Sequence, residues 1–282
     1  MPIKMIALDL DGTLAIENNQ VLPATRDALI ALHQSGVEVV IATGRRYRTT
    51  RYVIDNLGFD VYAVCNGGAL VKKPDTGTLH EANFSTPQLN NIVEIARELN
   101  LATFGQRDAH DRGGPDFIID DSVSWCSHTQ KYYEDNKDWS RGGNLQDHDP
   151  QFLVSGTMGE EQQLRTLIDR IEASYPGTYE HFIMPWGNSD AFYCEITIAA
   201  IDKWYGLSKL ASLFDIGANN ICAVGDQIND IPMLSKVAHP VAMGNSVEAL
   251  HVHANFICGK NDEDGILDVV DYINEHNSRV AS

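Results

Sequence analysis

Two carboxylates separated by one residue close an apolar run in Ile6-Ala7-Leu8-Asp9-Leu10-Asp11-Gly12-Thr13-Leu14. A continuous apolar run of this kind reads as a strand buried on both faces, as in parallel sheets. Gly12 and Thr13 break it, so Asp9 and Asp11 fall at the strand's carboxyl end, where open α/β sheets bind ligands. Strand alternation predicts that both acids point to one face and Leu10 to the other. Such a pair can supply a nucleophile and a proton donor; an acidic turn in water is the plain alternative.

Three further segments add to that pair. Val39-Val40-Ile41-Ala42-Thr43-Gly44-Arg45 reads as a second buried strand ending in a hydroxyl, a glycine and a cation. Glu195-Ile196 precedes Asp202-Lys203, which opens an apolar helical pattern at Leu207, Leu210, Ala211 and Leu213-Phe214. Ile221-Cys222-Ala223-Val224-Gly225-Asp226-Gln227-Ile228-Asn229-Asp230 is a strand, a glycine and two acids, with Asn229 at the start of a helix that continues through Ile231, Met233 and Leu234.

In order, this set resembles the four motifs of the haloacid dehalogenase superfamily: DxDGT, a strand-terminal Thr, a Lys, and GDxxND. The tail narrows the resemblance. Val241-Ala242-Met243-Gly244-Asn245 and Asn261-Asp262-Glu263-Asp264-Gly265-Ile266 are similar to the VAMGNA and NDEDGV signature of the Cof-type phosphatases, the branch with a large α/β cap. Asn66-Gly67-Gly68, after the apolar Tyr62-Ala63-Val64-Cys65, is similar to that branch's NGA segment. The resemblance covers about residues 1–82 and 192–278.

Phosphoryl transfer needs an in-line nucleophile, a proton donor for the leaving oxygen and positive charge around the transferring group. Asp9 is the expected nucleophile, forming an aspartyl phosphate, and Asp11 the acid that protonates the leaving alcohol and then activates water. The resemblance implies a Mg²⁺ ion held by the carboxylates of Asp9 and Asp226 and the backbone carbonyl of Asp11, an all-oxygen set that suits this ion. It also implies that Thr43 and Asn229 bind phosphoryl oxygens, with Gly44 in the same turn. Lys203 supplies the stabilising point charge, held by Asp230, for which an ordinary helix-terminal acid is the competing reading. Arg45 and Asn66 are supporting candidates, while Arg46 and Arg48 read as solvated helix-face residues. The chain departs from the family pattern at positions 199–201, Ala-Ala-Ile, and at Trp204, which replaces a glycine. The expected activity is Mg²⁺-dependent hydrolysis of a small phosphorylated metabolite, a sugar phosphate or a phosphorylated cofactor. A phosphomutase with a related cap is the alternative. A dehalogenase has no need of Asp11, and a pure binding protein has no use for the whole set.

The elements that must position these residues follow from the pattern. The segment 25–33 reads as a helix stopped by Gly36, and strands alternating with helices predict a doubly wound, parallel, Rossmann-like α/β core sheet. A turn cluster at 74–77 marks a change. Beyond it come a helix at 88–99, a strand at 117–119, a helix at 160–174 and a strand at 191–196. The expected organisation is a core of 1–82 plus 192–282 with an inserted α+β cap, 83–191, that sets substrate specificity. The polar stretch 107–151 holds Asp108, His110, Asp111, His128, Asp147, His148 and Asp149, and reads as loops and solvated faces more readily than as a second metal site.

Composition agrees. A length of 282 residues predicts two domains. The net charge of −18 leaves no basic stripe for nucleic acid, and it requires local cations to draw in an anionic substrate. No run approaches the roughly 20 apolar residues that cross a bilayer. The five cysteines are scattered and lack a C-x-x-C pair, and the N-terminus leads directly into the first strand without a signal-peptide pattern. The expectation is a cytoplasmic monomer or homodimer.

Overall fold

A computed structural model describes residues 1–147, 151–187 and 190–282. The chain forms two compact units, Met1–His80 with Asp202–Ser282, and Glu81–Ile201. The first contains β1 (Met5–Leu8), α1 (Pro23–Gln34), β2 (Glu38–Ala42), α2 (Tyr47–Ile54), β3 (Tyr62–Cys65), β4 (Leu70–Lys73) and most of β5 (Gly77–Glu81). The second contains α3 (Thr86–Glu98), β6 (Thr103–Gln106), β7 (Phe117–Ile119), α4 (Ser127–Asp135), β8 (Ser140–Gly142), β9 (Val154–Gly159), α5 (Glu161–Ser174), β10 (Tyr179–Pro185) and β11 (Phe192–Ile198). The chain then returns to the first unit through α6 (Lys203–Leu213), β12 (Ile221–Gly225), α7 (Ile231–Leu234), β13 (His239–Ala242), β14 (Phe256–Ile257) and α8 (Ile266–Ala281).

The first unit is an eight-stranded sheet in the order β14-β13-β12-β1-β2-β3-β4-β5. Pairing is parallel from β14 to β3, and β4 runs antiparallel to β3. The apolar runs of β1 and β12 are buried along their whole length, as strands covered on both faces must be. Met5, Ala7, Val40, Ala42 and Ala223 of one face pack on Leu207, Leu210 and Ala211 of α6. The α/β expectation therefore holds. The turn cluster at 74–77 joins β4 to β5, which Gly77 opens.

The second unit is a six-stranded sheet, β10-β11-β9-β6-β7-β8, antiparallel except between β7 and β8. Leu89, Ile92, Val93 and Ala96 of α3 and Leu164, Leu167 and Ile171 of α5 share one core with Ile118, Cys194 and Ile196 of the sheet. Two features differ from the sequence reading. Residues 192–198, assigned there to the core, form β11, whose backbone pairs with β9 and β10 on either side, so the chain leaves this unit at 201/202 rather than 191/192. Within the polar stretch, α4 is a helix of which only Thr129 is buried, so it lacks the apolar period that reveals helices. There His128 pairs with Asp190 at 3.3 Å, and His110 lies 3.8 Å from Asp111. His148 and Asp149 lie outside the described residues. No helix among the described residues is long and apolar enough to cross a membrane.

Candidate active site

Register brings the motifs together. Leu8 of β1 lies beside Ile41 of β2 and Val224 of β12, so Asp9, Thr43 and Asp226 follow three adjacent strands at one sheet edge. Asp9 N–H still donates to Val224 O at 3.0 Å, extending the ladder by one residue. Lys203 opens α6, whose N-cap Asp202 accepts from Tyr205 N at 2.8 Å. That cap fixes the start of the helix despite the unusual Ala-Ala-Ile before it and Trp204 after it.

Lys203, buried, donates to Asp9 Oδ1 at 2.5 Å and to Asp230 Oδ1 at 2.6 Å. The other oxygen of Asp230 accepts the backbone N–H groups of Asp226 and Gln227, both at 3.0 Å. Asp230 therefore caps its turn and also holds the ammonium. Thr13, which the sequence reading did not single out, donates from Oγ1 to Asp226 Oδ1 at 3.0 Å. Its place in the DxDGT run was the available signal. Gly12 has φ of +80°, and a Cβ there would stand 2.4 Å from Asp226 Oδ2. Only glycine lets the loop backbone lie against that carboxylate.

Asp9, Asp226 and Asp230 are all buried, with carboxylate oxygens within 4.8 Å of one another. Burial raises the Asp9 carboxyl well above its usual range, against the lowering effect of Lys203 and with added repulsion from Asp230 and Asp226. Burial and then Asp230 raise Asp226 to about 6. Burial opposes the charge on Lys203, but Asp230 and Asp9 overcome it and hold the ammonium above its ordinary value. Three buried carboxylates face one buried ammonium, an excess of negative charge that a divalent cation relieves. The donor set therefore fits a hard, oxygen-preferring ion. Asp230 already gives one oxygen to Lys203 and the other to two backbone donors, which leaves Asp9 and Asp226 as the side chains to hold it.

Asp11 lies beyond the reach of the alternation rule. Strand β1 ends at Leu8, so Asp11 sits in the turn, and its side chain is 59% exposed where that of Asp9 is 7% exposed. It is held by Arg45, whose Nε donates to Asp11 Oδ2 at 2.7 Å and whose Nη2 donates to Asp11 Oδ1. Arg45 Nη1 also donates to Asn19 Oδ1 at 2.5 Å, another residue without a distinctive sequence signal. The carboxylate of Asp11 is not one of the three clustered acids, so its expected share in metal binding falls to its carbonyl. Thr43 is buried and its Oγ1 accepts from Arg45 N at 3.1 Å across Gly44. The backbone of Asn66 donates to Arg45 O at 2.9 Å, and that of Gly67 to Thr43 O at 3.2 Å, so the Asn-Gly-Gly turn braces this loop. Asn229 carries a buried Oδ1 with no hydrogen-bond partner among the described residues. Arg46, expected in solvent, is buried at the N-cap of α2.

The comparisons with known proteins follow the same lines. A family model described as haloacid dehalogenase-like hydrolase matches residues 6–270. A 5-amino-6-(5-phospho-D-ribitylamino)uracil phosphatase of Bacillus subtilis is 27% identical over 95% of this chain and 94% of its own length. A pyridoxal phosphate phosphatase of Escherichia coli is 24% identical over 96% of this chain and 98% of its own. A solved phosphatase of the haloalkanoate superfamily from Bacteroides thetaiotaomicron superposes with a TM-score of 0.80, at 22% identity, over 97% of this chain and 96% of that one. The motif resemblance is thus borne out, and the chain belongs to the haloacid dehalogenase-like hydrolases, in their Cof-type branch.

Proposed function

We propose that this protein is a Mg²⁺-dependent phosphatase that hydrolyses small phosphorylated metabolites, sugar phosphates or phosphorylated cofactors, through an aspartyl phosphate on Asp9. The observation that carries this reading is the single ammonium of Lys203 shared by Asp9 and Asp230, with Asp226 in the same buried cluster. A nucleophilic carboxylate, a fixed cation and a surplus of acid oxygens in one buried site suit in-line attack on a phosphate ester, and Asp11 adds the leaving-group acid that a dehalogenase does not need. The named activities of the two curated relatives support the choice of phosphate monoesters.

In this reading an Asp9 oxygen bonds to phosphorus while the bond from phosphorus to the ester oxygen breaks. Asp11 gives its proton to the departing alcohol. Asp11, now a carboxylate, takes a proton from water as that water attacks the aspartyl phosphate, which releases inorganic phosphate and restores Asp9. Lys203 balances charge on Asp9 and on the transferring group, Thr13 fixes Asp226, and Thr43 and Asn229 hydrogen-bond phosphoryl oxygens. Mg²⁺ held by Asp9, Asp226 and the Asp11 carbonyl supplies the further positive charge that phosphoryl transfer needs.

Residues 81–201 act here as a cap that recognises the leaving group, so specificity resides in that unit and attack on phosphorus in the other. The deciding experiment is phosphate release across a panel of sugar phosphates, pyridoxal phosphate, a phosphorylated ribityl pyrimidine and an aryl phosphate, with Mg²⁺ and with chelator. Turnover of one ester class well above the rest, only with metal, is the expected result. Inactivity on every monoester would overturn the reading.

A further inference from the structure

Asn245 and Asn261 belong to the two tail segments of the sequence signature, and the chemistry above uses neither. Their side chains nevertheless end on the loop that carries Asp11. Asn245 Nδ2 donates to Gly12 O at 2.8 Å, and Asn261 Nδ2 donates to Ala15 O at 3.2 Å. The two are tied to each other, because Asn261 N–H donates to Asn245 Oδ1 at 3.0 Å. Their own loops are fixed by close contact. Gly244 N–H donates to Gly259 O at 3.0 Å, and a Cβ at Gly244 would stand 2.9 Å from Cys258 O.

We propose that Asn245 and Asn261 are positioning residues that clamp residues 11–15 by their backbone and so hold Asp11 in place for proton transfer. The loop needs such a clamp. It lies beyond the end of β1, and its own backbone ties are few, Leu14 N–H to Asp9 O at 3.2 Å and Ala15 N–H to Leu10 O at 2.8 Å; Arg45 on Asp11 and Asp226 on Thr13 hold side chains of the loop but not its carbonyls. An acidic side chain carried on a turn is only as well placed as that turn, and a shift of about 1 Å in a reacting group can cost about a hundredfold in rate. The two amides grip the carbonyls on either side of Thr13, the residue that fixes Asp226. Asparagine suits both positions, because one short side chain donates to a carbonyl and accepts from a neighbouring N–H together. The two tail segments are therefore parts of one brace for the catalytic loop, which accounts for their presence in a chain whose reacting groups all lie elsewhere.

The chemical half of this inference rests on the phosphatase reading, while the clamp itself does not, and the tests separate them. Asn245→Ala and Asn261→Ala are compared with wild type by kcat/KM on a sugar phosphate, whose alkoxide must be protonated, and on p-nitrophenyl phosphate, whose leaving group needs no proton. Misplacing the acid should lower the first by about tenfold or more and the second by less than about threefold. Asn255→Ala serves as the control for general softening, since its side chain holds Ala238 O at 3.0 Å away from the loop, and it should leave the ratio of the two rates unchanged. Hydrogen exchange over residues 10–16 should quicken in both clamp variants, with exchange in β1 and β12 unaltered. Equal losses on the two esters would overturn the positioning role. Unchanged exchange of the loop would overturn the clamp, including in the case where wild type hydrolyses no ester and the phosphatase reading itself has failed.

Discussion

Lys203 Nζ stands 2.5 Å from Asp9 Oδ1 and 2.6 Å from Asp230 Oδ1, so one buried cation serves two buried acids from distant parts of the chain. Removing it leaves those acids facing each other without a counterion. Lys203→Met should destabilise the metal-free protein by about 3–5 kcal/mol, the cost of stranding a buried charge. It should also lower kcat by roughly a hundred- to a thousandfold, as loss of a preorganised charge does. Urea titration in chelator and steady-state kinetics in Mg²⁺ read the two effects separately.

Asp9→Asn should part activity from stability. The amide cannot attack phosphorus, so turnover should fall below detection. It also removes a buried acid whose charge burial opposes, so the melting temperature in chelator at pH 7.5 should equal or exceed that of wild type. Rapid quench of the Asp11→Asn variant with an aryl phosphate should add the mass of a phosphoryl group to the Asp9 peptide. Phosphate on any other residue would refute the nucleophile.

Asp226 gives a pH signature. Its folded value of about 6 lies above the ordinary 3.8, so between these values the unfolded chain loses its proton first. The folded state binds the extra proton there, and stability falls as pH rises through the window. A gap of about two units corresponds to about 3 kcal/mol once pH exceeds the folded value. The stability of Asp226→Asn relative to wild type, measured without metal, should therefore rise between pH 4 and pH 7. An offset independent of pH would contradict the assignment.

Metal should act on the same groups. Mg²⁺ favours the ionised carboxylates, so it should raise the wild-type melting temperature at pH 7.5 and leave that of Asp226→Asn nearly unmoved. Chelator should abolish activity and Mg²⁺ restore it. Ca²⁺ should inhibit, because its looser and larger coordination spoils in-line attack. Full activity in a metal-free preparation would rule out the proposed role of the ion.

The parts of the fold that could be read in sequence are those where one physical pattern dominates. The runs ending at Leu8, Ala42 and Gly225 are apolar throughout because both faces are covered, and their punctuation by acids and glycines marks the sheet edge. The exposure of Asp11 was not legible because alternation ends with the strand at Leu8, and the turn beyond it obeys loop geometry instead. The 192–198 strand was assigned to the wrong unit because an apolar strand carries no mark of which sheet it joins; pairing with β9 and β10 decides that. Helix α4 escaped because only Thr129 on it is fully buried, and its two half-buried tyrosines, Tyr132 and Tyr133, do not make an apolar period. The contacts of Thr13 with Asp226, of Arg45 with Asp11 and of the tail asparagines with the 11–15 loop are made across more than thirty residues of sequence, a separation that leaves no local signal.

The position of β1 between β2 and β12 has a consequence for how the protein comes into being. During synthesis β2 follows its partner within about thirty residues, but β12 emerges only after residue 220, behind the whole of the second unit. Until then the apolar strand that ends beside Asp9 has one neighbour and one bare edge, the kind of template on which other chains stack. Closure of so distant a pair is slow by nature. A ribosome that stalls before residue 221 therefore releases a chain with neither Asp226 nor Asp230 and an open, sticky flank, while a finished chain gains its missing strand and its two remaining motif acids together.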